Sequence, residues 1–298
     1  MTNAAKTVLI TGSEGFTGKY MAAEMRSAGY HVVGLGTKSS TAVDYYQADL
    51  LSIAEITAVL NQVQPDIVIH LAAIAFVGHG DANAFYQVNL QGTRNLLAAL
   101  AALDKTPEAV LLASSANVYG NTSEGVLSES TLPAPANEYA VSKLAMEYMA
   151  RLWQDRLPII ITRPFNYTGV GQTENFLLPK IVAHFHRQES KIELGNLDVW
   201  RDFSDVRSVV NAYRRLIEAK AFGHTVNVCS GNVYSLREIV AMIEEMSGHH
   251  IDIRVNPAFV RAGEVKTLCG DASLLHSLIG NWQTPPLKET LCWMLEAK

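Results

Sequence analysis

The sequence predicts an α/β protein with a doubly wound parallel sheet and a smaller C-terminal α+β domain. A short apolar segment at residues 7–10 leads through a glycine-rich turn into an amphipathic segment that ends near residue 28. Further apolar segments alternate with helical ones up to about residue 164, which is the pattern of a parallel sheet. Beyond that point the periodicity changes and turn residues precede a new apolar stretch.

The elements of the first half follow in a regular order. The apolar segments predict strands at residues 7–10, 30–35, 66–73, 110–115 and 158–162. Helical patterns lie between them, including residues 85–103 and 139–153. Ligands of such a Rossmann-type sheet bind at the carboxyl ends of its strands. We predict a Rossmann domain of residues 1–164 plus about 203–228, and a substrate domain of about 165–202 plus 229–298.

Composition excludes several classes of protein. The 298 residues are 48% hydrophobic, which is enough for a sizeable core, and the net charge of −5 argues against a nucleic-acid-binding protein. The three cysteines form no Cys-x-x-Cys pair, so we expect no disulfide framework, no metal and a reducing, cytoplasmic location. No stretch resembles a signal peptide or approaches 18 apolar residues, so we expect no membrane segment.

The turn after the first strand has the glycine spacing of a dinucleotide site. One glycine makes the turn, one lets backbone approach a pyrophosphate, and one permits close packing of helix on strand. The phosphates would bind unpaired amides at the helix N-terminus. The residues predicted to contact the cofactor here are Gly12, Gly15, Phe16, Thr17 and Gly18.

The end of the second strand bears on the choice of dinucleotide. An NAD site normally offers an acidic side chain to the ribose hydroxyls at this point. Here Gly36 is followed by Thr37 and Lys38, so no carboxylate repels a 2′-phosphate and Lys38 could attract one. The sequence therefore favours NADP(H) over NAD(H). The alternative is that Lys38 is an ordinary solvated loop lysine.

Tyr139 and Lys143 lie four residues apart on a predicted helix, with Ser115 at the end of an upstream strand. A lysine one helical turn from a tyrosine favours the phenolate, so we expect the pKa of Tyr139 to be lowered from about 10. Such a pair exchanges protons with a carbonyl or alcohol. His70, at another strand end, is interpreted as a structural histidine rather than a catalytic one.

Several spaced motifs together resemble the extended short-chain dehydrogenase/reductase family, also called the NAD-dependent epimerase/dehydratase family. They are the glycine turn, His70 to Ala73, Asn89 in Val-Asn-Leu-Gln-Gly-Thr, Ser114-Ser115 before Val118-Tyr119-Gly120, and Tyr139 to Lys143. The resemblance implies that Ser115 hydrogen-bonds the reacting oxygen, Tyr139 is the acid-base and Lys143 binds the nicotinamide ribose. It also implies further cofactor contacts, which join Thr37 and Lys38 at the end of the second strand: Asp49, Leu50, Leu71, Ala72, Ala73, Asn89 and Pro164.

Residues 194–202 and 261–271 resemble the GDP-mannose branch of that family. The resemblance implies that Arg201 and Arg261 hold a sugar diphosphate, a role that suits guanidinium groups. The alternative for each arginine is a structural salt bridge, with Asp202 or Glu264 as the local partner. The full predicted substrate set is Ser115, Asn117, Asn166, Phe176, Lys180, Gly195, Asn196, Arg201, Arg261 and Glu264.

Dehydratases of the family place two more acid-base groups directly after the catalytic Ser or Thr. This chain has Ala116 and Asn117 there, so we expect no elimination of water. The resemblance then implies reduction of the 4-keto group of GDP-4-keto-6-deoxy-mannose to GDP-D-rhamnose. The alternatives are a nucleotide-sugar 4-epimerase with tightly held NAD and a non-enzymatic dinucleotide sensor. The family also implies a homodimer formed through the helices at 85–103 and 139–153.

Overall fold

The computed structural model describes residues 5–76, 78, 80–121, 125–259 and 265–297. Its strands are β1 (Thr7–Thr11), β2 (His31–Gly36), β3 (Tyr45–Gln47), β4 (Ile67–His70), β5 (Ala109–Ala113), β6 (Gly125–Leu127), β7 (Ile159–Pro164), β8 (Asn166–Thr168), β9 (Lys191–Leu194), β10 (Trp200–Asp205), β11 (Thr225–Val228), β12 (Val233–Ser235), β13 (Asp252–Val255) and β14 (Thr267–Gly270). Its α-helices are α1 (Phe16–Ser27), α2 (Ile53–Val63), α3 (Ala82–Phe85), α4 (Thr93–Ala101), α5 (Glu138–Arg151), α6 (Leu177–His186), α7 (Val206–Glu218), α8 (Leu236–Ser247), α9 (Ser273–Ile279) and α10 (Leu287–Glu296).

The larger sheet is parallel, and within the described residues its strand order is β11-β7-β5-β4-β1-β2-β3. The chain order reverses between β1 and β4, where Thr11 lies opposite His70. The carboxyl ends of strands at such a reversal form a crevice that binds ligands. The predicted fold class, a Rossmann-type doubly wound sheet, is confirmed.

Both faces of the larger sheet are covered because side chains of its strands alternate between two cores. Val8 and Ile10 point into a core made with α1, α7 and α9. Leu9, between them, points into a core made with α2, α4 and α5. A strand buried on both sides is apolar throughout, which explains the continuous apolar segments of the sequence.

The helix predicted over residues 85–103 is interrupted by a different geometry. It consists of α3, a π-helical segment (Tyr86–Gly92) and α4. Single π-helical turns within α-helices occur often at functional sites. Asn89 lies in this segment, and its side chain contacts elements outside the helix, as described below.

The second half builds two smaller sheets. One contains β12, β10, β14 and β6, with β8 paired to β10, and the other pairs β9 with β13. A third core forms around α6, α8 and α10, with Ile181, Ile239 and Leu291 fully buried. Two elements do not follow the predicted domain boundaries. Strand β6 was predicted in the first domain but joins the smaller sheet, and helix α9 was predicted in the second domain but packs on the larger sheet. Among the described helices, none is long and apolar enough to cross a membrane.

Asp202 ties the two sheets together. It lies in β10 and is fully buried. Its carboxylate accepts hydrogen bonds from the amide (2.9 Å) and hydroxyl (2.6 Å) of Ser230 and from the amides of Gly231 (2.9 Å) and Gly270 (3.3 Å). Ser230 and Gly231 follow β11 of the larger sheet, whereas Gly270 ends β14. One side chain therefore fixes the position of the smaller sheet relative to the larger one.

Replacing Asp202 by alanine should destabilise the protein by about 3 kcal/mol, because buried amides lose a charged acceptor. Asp198→Ala is the matched control, since Asp198 is exposed and its ion pair with Arg237 is long at 3.3 Å. Surface pairs contribute about 0–1 kcal/mol, so this control should unfold close to the wild type. Chemical unfolding of both variants measures the difference. Equal midpoints for the two variants would contradict the role given to Asp202.

Candidate active site

The glycine turn between β1 and α1 is shaped by close backbone contacts. Gly12 has a φ of +71°, and a Cβ there would lie 2.8 Å from the amide nitrogen of Ala72. A Cβ on Gly18 would lie 2.1 Å from the carbonyl oxygen of Gly12. Only glycine fits either position without moving backbone. The turn therefore packs directly against the chain leaving β4.

The N-terminus of α1 suits a pyrophosphate. Gly15 is the N-cap residue, and no side chain of the described structure caps this helix. The backbone N–H groups of the first turn carry a partial positive charge and favour anions. Thr17 is fixed by a hydrogen bond of 2.8 Å with the hydroxyl of Tyr167, and Phe16 stacks on the same tyrosine. These residues fit the phosphates of a dinucleotide, which supplies the hydride when it is bound.

The loop after β2 is held by two side chains of β3, which donate to carbonyl groups of the loop backbone. The hydroxyl of Tyr45 donates to the carbonyl of Lys38 at 2.6 Å, and the amide group of Gln47 donates to the carbonyl of Thr37 at 2.9 Å. The side chains of Thr37 and Lys38 are exposed beside the end of the strand. This arrangement leaves a hydroxyl and an ammonium group where the adenosine ribose of a dinucleotide would lie.

The predicted adenine contact follows β3. Leu50 is buried in the core under α2, while Asp49 is exposed. The carboxylate of Asp49 accepts from the amide of Leu51 at 2.9 Å, and its own amide donates to Glu55 at 2.9 Å. Asp49 is thereby fixed in a turn at the carboxyl edge of the sheet.

Asn89 supports the loop that follows β4. Its side chain accepts from the amide of Ile74 at 2.9 Å and donates to the carbonyl of Ile74 and the hydroxyl of Ser142, both at 3.1 Å. Only 1% of Asn89 is exposed. It therefore fixes the path of Leu71, Ala72 and Ala73 through hydrogen bonds to the next residue.

His70 has a structural role, as expected from the sequence. Its ring nitrogens contact the hydroxyls of Thr11 at 2.7 Å and Thr93 at 2.8 Å. Burial, with a smaller effect of Lys143, lowers the pKa of His70 to about 3. The ring is neutral near pH 7 and links β1, β4 and α4.

The three predicted catalytic residues lie together at the carboxyl end of β5. Asn137 caps α5 by accepting from the amide of Ala140 at 2.9 Å, so Tyr139 and Lys143 fall one turn apart. Ser115 follows β5, and its hydroxyl lies close enough to that of Tyr139 to lower the pKa of the tyrosine. The Lys143 ammonium donates to the carbonyl of Ala113 at 2.8 Å. All three side chains are buried.

Burial dominates the protonation of this group. Burial raises the pKa of Tyr139 to about 12, and the nearby Ser115 hydroxyl has a smaller, lowering effect. Burial lowers the pKa of Lys143 to about 8, opposed by the negative charge of Glu147. The expectation that the pKa of Tyr139 is lowered is wrong for this structure, because removal from water has the largest effect on it and raises it. Tyr139 is therefore a protonated donor near neutral pH.

The residues around Ser115 have few acid-base options. A short 3₁₀-helix, Ala116–Tyr119, begins directly after it. The backbone amide (3.1 Å) and side-chain amide (3.0 Å) of Asn117 both donate to the hydroxyl of Ser115. Asn117 thus orients Ser115. The described residues contain no cluster of three His, Cys, Asp or Glu side chains suited to a metal ion.

The described residues that were predicted to bind substrate lie mostly in the second half of the chain. Asn166 donates to the carbonyl of Asp202 at 3.0 Å and is exposed. Phe176 packs edge-on against Phe76, with ring centroids 6.2 Å apart. The guanidinium of Arg201 donates to the carbonyls of Trp200 and Lys266.

Two further predicted substrate residues, Lys180 and Gly195, lie beside Phe259. Lys180 donates to the carbonyl of Glu193 at 2.8 Å and lies 4.6 Å from the centre of the Phe259 ring. A Cβ on Gly195 would lie 2.5 Å from the carbonyl oxygen of Phe259. Asn196 accepts from the amide of Asp198 at 3.2 Å. The predicted residues Arg261 and Glu264 lie outside the described residues.

Sequence reasoning missed the groups that hold the site. Asp202 appeared only as a partner of Arg201, and neither Phe259 nor the buried pair of Glu147 and Arg163 was identified. Glu147 did carry a signal, since it lies one helical turn beyond Lys143. A carboxylate on the buried face of a helix needs a partner, which points to a second charge nearby.

Comparison with known proteins agrees with this arrangement. The family model described as GDP-mannose 4,6 dehydratase matches residues 9–292. GDP-6-deoxy-D-talose 4-dehydrogenase of Aggregatibacter actinomycetemcomitans is 37% identical over 277 residues, which cover 92% of this chain and 91% of that protein. GDP-6-deoxy-D-mannose reductase of Pseudomonas aeruginosa is 33% identical over 295 residues, covering 95% and 94%.

Two solved structures are similar over nearly the whole chain. One, from Burkholderia cenocepacia J2315 and provisionally named an epimerase, has a TM-score of 0.93 at 52% identity and covers 98% of this chain and 97% of that one. The other, RMD from Pseudomonas aeruginosa complexed with NADPH, has a TM-score of 0.86 at 31% identity and covers 98% of each. The predicted class of protein, an NAD(P)-dependent oxidoreductase, is confirmed. The chain belongs to the GDP-mannose 4,6-dehydratase family, within the epimerase/dehydratase group of short-chain dehydrogenases/reductases.

Proposed function

We propose that this protein uses NADP(H) to reduce the C4 ketone of a GDP-linked 4-keto-6-deoxy sugar, converting GDP-4-keto-6-deoxy-mannose to GDP-D-rhamnose. The observation that carries the proposal is the buried group of Ser115, Tyr139 and Lys143, followed by Ala116 and Asn117. This group can protonate an alkoxide, whereas the two residues after Ser115 have no titratable side chain.

The proton for the product comes from Tyr139. Its raised pKa keeps the hydroxyl protonated near neutral pH, so it can donate to the oxygen that gains charge at C4. Ser115, held by Asn117, places a second hydrogen bond on that oxygen. Lys143 lies one helical turn beyond Tyr139 on α5. Its ammonium group stabilises the negative charge that Tyr139 carries once it has given up its proton.

Elimination of water is not supported by these residues. It would need a base to remove a proton from C5 and an acid to release the hydroxyl at C6. Ala116 cannot exchange a proton, and the side chain of Asn117 is used to orient Ser115. The proposed activity thus departs from the dehydratase that gives the family its name.

The GDP-sugar assignment is supported by the two relatives whose names include a GDP-6-deoxy sugar. Arg201 lies on β10 beside β14 and β12, and the next residue, Asp202, joins the smaller sheet to the segment that follows β11. A guanidinium at this position suits a diphosphate. NADP(H) is preferred over NAD(H) in this proposal because Thr37 and Lys38 are exposed after β2 and because the similar structure of RMD is complexed with NADPH.

A second candidate product is GDP-6-deoxy-D-talose, which differs from GDP-D-rhamnose only in configuration at C4. It is favoured by the similarity to the talose 4-dehydrogenase, at 37% identity. The same three catalytic residues serve either product, because the stereochemistry depends on which face of the ketone meets the hydride. The 4-epimerase and the non-enzymatic sensor remain the alternatives to reduction.

Tyr139→Phe should lower kcat for ketone reduction by about 10²- to 10⁴-fold, since a positioned general acid contributes that much. Tyr148→Phe is the matched control on the same helix, where Tyr148 is 58% exposed. Absorbance of the reduced nicotinamide measures turnover on a panel of GDP-, UDP- and dTDP-linked 4-keto sugars. Full activity of the Tyr139 variant would refute the assignment.

The same panel separates the candidate functions. Net oxidation of NADPH by the GDP-linked ketone supports the reductase, and proton NMR couplings at C4 of the product distinguish rhamnose from 6-deoxy-talose. Purification with bound NAD and no net oxidation of NADPH indicates the epimerase. Binding of NADPH without turnover of any ketone indicates the sensor.

The rate of reduction should fall as pH rises through about 8, because burial lowers the pKa of Lys143 to about 8 and the neutral amine no longer stabilises the phenolate. Tyr139 stays protonated well above that pH. Lys143→Arg is the control, since a guanidinium keeps its charge throughout this range. A fall near pH 8 that persists in this variant would assign the titration to another group.

We also propose a homodimer formed through α4 and α5. Three apolar or aromatic side chains on or just after α5 are exposed: Val141 (37%), Tyr148 (58%) and Leu152 (81%). Leu152→Glu should dissociate the dimer, whereas Leu132→Glu, at an 83% exposed site before α5, should not. Size-exclusion chromatography with light scattering gives the mass, and a monomeric wild type would contradict the proposal.

A further inference from the structure

A buried ion pair lies directly behind the catalytic group. Arg163 of β7 donates to both oxygens of Glu147, at 2.9 and 2.6 Å. Glu147 is fully buried and Arg163 is 3% exposed. Removing two charges from water opposes folding, and apolar residues of similar size often give equal or greater stability. The pair therefore calls for an explanation other than stability.

Its hydrogen bonds connect it to the residues on both sides of Ser115. The hydroxyl of Ser114 donates to Glu147 at 2.6 Å, and Ser114 immediately precedes Ser115. Arg163 also donates to the hydroxyl of Tyr119 at 3.0 Å. Tyr119 ends the 3₁₀-helix that Ser115 begins. The ion pair thus holds both ends of the segment that carries Ser115.

The same carboxylate is next to Lys143 along α5. Lys143 and Glu147 are one helical turn apart on the buried face of that helix. Lys143 is held on its other side by the carbonyl of Ala113, the residue before Ser114. One carboxylate is therefore shared between the Ser115 segment and the Lys143 segment.

We propose that Glu147, fixed by Arg163 and Ser114, is a positioning residue for the reduction, which sets the places of Ser115 and Lys143 and provides the negative charge that faces the Lys143 ammonium. This inference rests on the proposed reduction, but its charge component can be tested without substrate. Glu147 acts through Ser114 and Lys143.

The charges around Lys143 agree with this role. Its buried ammonium has a pKa lowered to about 8, and Glu147 opposes that lowering. His70 on β4 is neutral near pH 7, and Tyr139 on α5 stays protonated. Burial opposes the charged form of Arg163, but its hydrogen bond to Glu147 raises the pKa of the guanidinium. The other titratable groups packed nearby are tyrosines whose pKa values are raised by burial: Tyr119, Tyr167 and Tyr213.

Three variants test the proposal. Glu147→Gln removes the charge and keeps the shape. The double variant Glu147→Leu with Arg163→Met removes the whole pair at similar volume, which protects the fold if the single variant unfolds. Glu218→Gln is the control, because Glu218 forms an i,i+4 pair with Arg214 on α7, away from Lys143.

Two readouts are combined with thermal unfolding. The first is kcat and KM for the 4-keto sugar from pH 6 to 10, using the panel described above. The second is the titration of the Lys143 amine by carbon NMR of the full-length protein with labelled lysine, assigned by loss of the signal in Lys143→Arg. The second readout needs no turnover, so failure of the proposed reaction and failure of this inference give different results.

We expect Glu147→Gln to lower kcat by about 10- to 100-fold with little change in KM, as small misplacements of reacting groups do. The Lys143 titration and the alkaline limb of kcat should move about one pH unit lower. The double variant should recover the melting temperature but not kcat, and Glu218→Gln should match the wild type.

A folded double variant with wild-type kcat and an unchanged pH profile would overturn the inference, because the pair would then be only structural. So would an unchanged Lys143 titration in Glu147→Gln.

Discussion

Burial of the Lys143 ammonium at the carboxyl end of β5 is the constraint on which the site depends. A buried cation needs partners: the ammonium donates to the carbonyl of Ala113, and the negative charge of Glu147, one helical turn along α5, favours its charged form. Glu147 in turn requires Arg163, which fixes α5 against β7. With α5 fixed, Tyr139 lies one turn from Lys143 and next to Ser115. The position of Tyr139, the proposed proton donor, therefore follows from the burial of the Lys143 ammonium.

The predicted cofactor side and the predicted substrate side are fixed by different means. On the cofactor side, backbone contacts between Gly12 and Ala72 and between Gly18 and Gly12 leave no space for a Cβ. These contacts bring the N-terminal amides of α1 to the carboxyl ends of β1 and β4, where the strand order reverses. On the substrate side, the carboxylate of Asp202 joins the smaller sheet to the end of β11. The proposed reaction at C4 requires that both sides be held relative to Tyr139.

Much of this architecture could be predicted because it depends on local patterns. The strands of the larger sheet are buried on both faces and so appear as continuous apolar segments, and the glycine turn and the Tyr139–Lys143 spacing are visible without a structure. The short strands β3, β6 and β8 have three residues each, too few to show a period. The pairing of β9 with β13 joins segments about 60 residues apart, which no local pattern records.

The closeness of Ser115, Tyr139 and Lys143 could be predicted from the sequence, but their electrostatics could not. The sequence shows that Lys143 is near Tyr139, but it does not show how completely both are removed from water, and burial decides the direction of the Tyr139 pKa. The partners of Glu147 are 33 and 16 residues away, at Ser114 and Arg163, so the pair becomes visible only after folding. The π-helical segment that directs Asn89 toward Ile74 also has no sequence signal that we recognise.

The central claim is that a hydride reaches C4 of the sugar while Tyr139 supplies the proton. It is tested most directly with NADPH carrying deuterium at C4 of the nicotinamide, prepared as each of the two stereoisomers. The account predicts that one isomer leaves deuterium at C4 of a GDP-linked 6-deoxy sugar and that solvent hydrogen appears only on oxygen. A sugar product without deuterium from either isomer would contradict it.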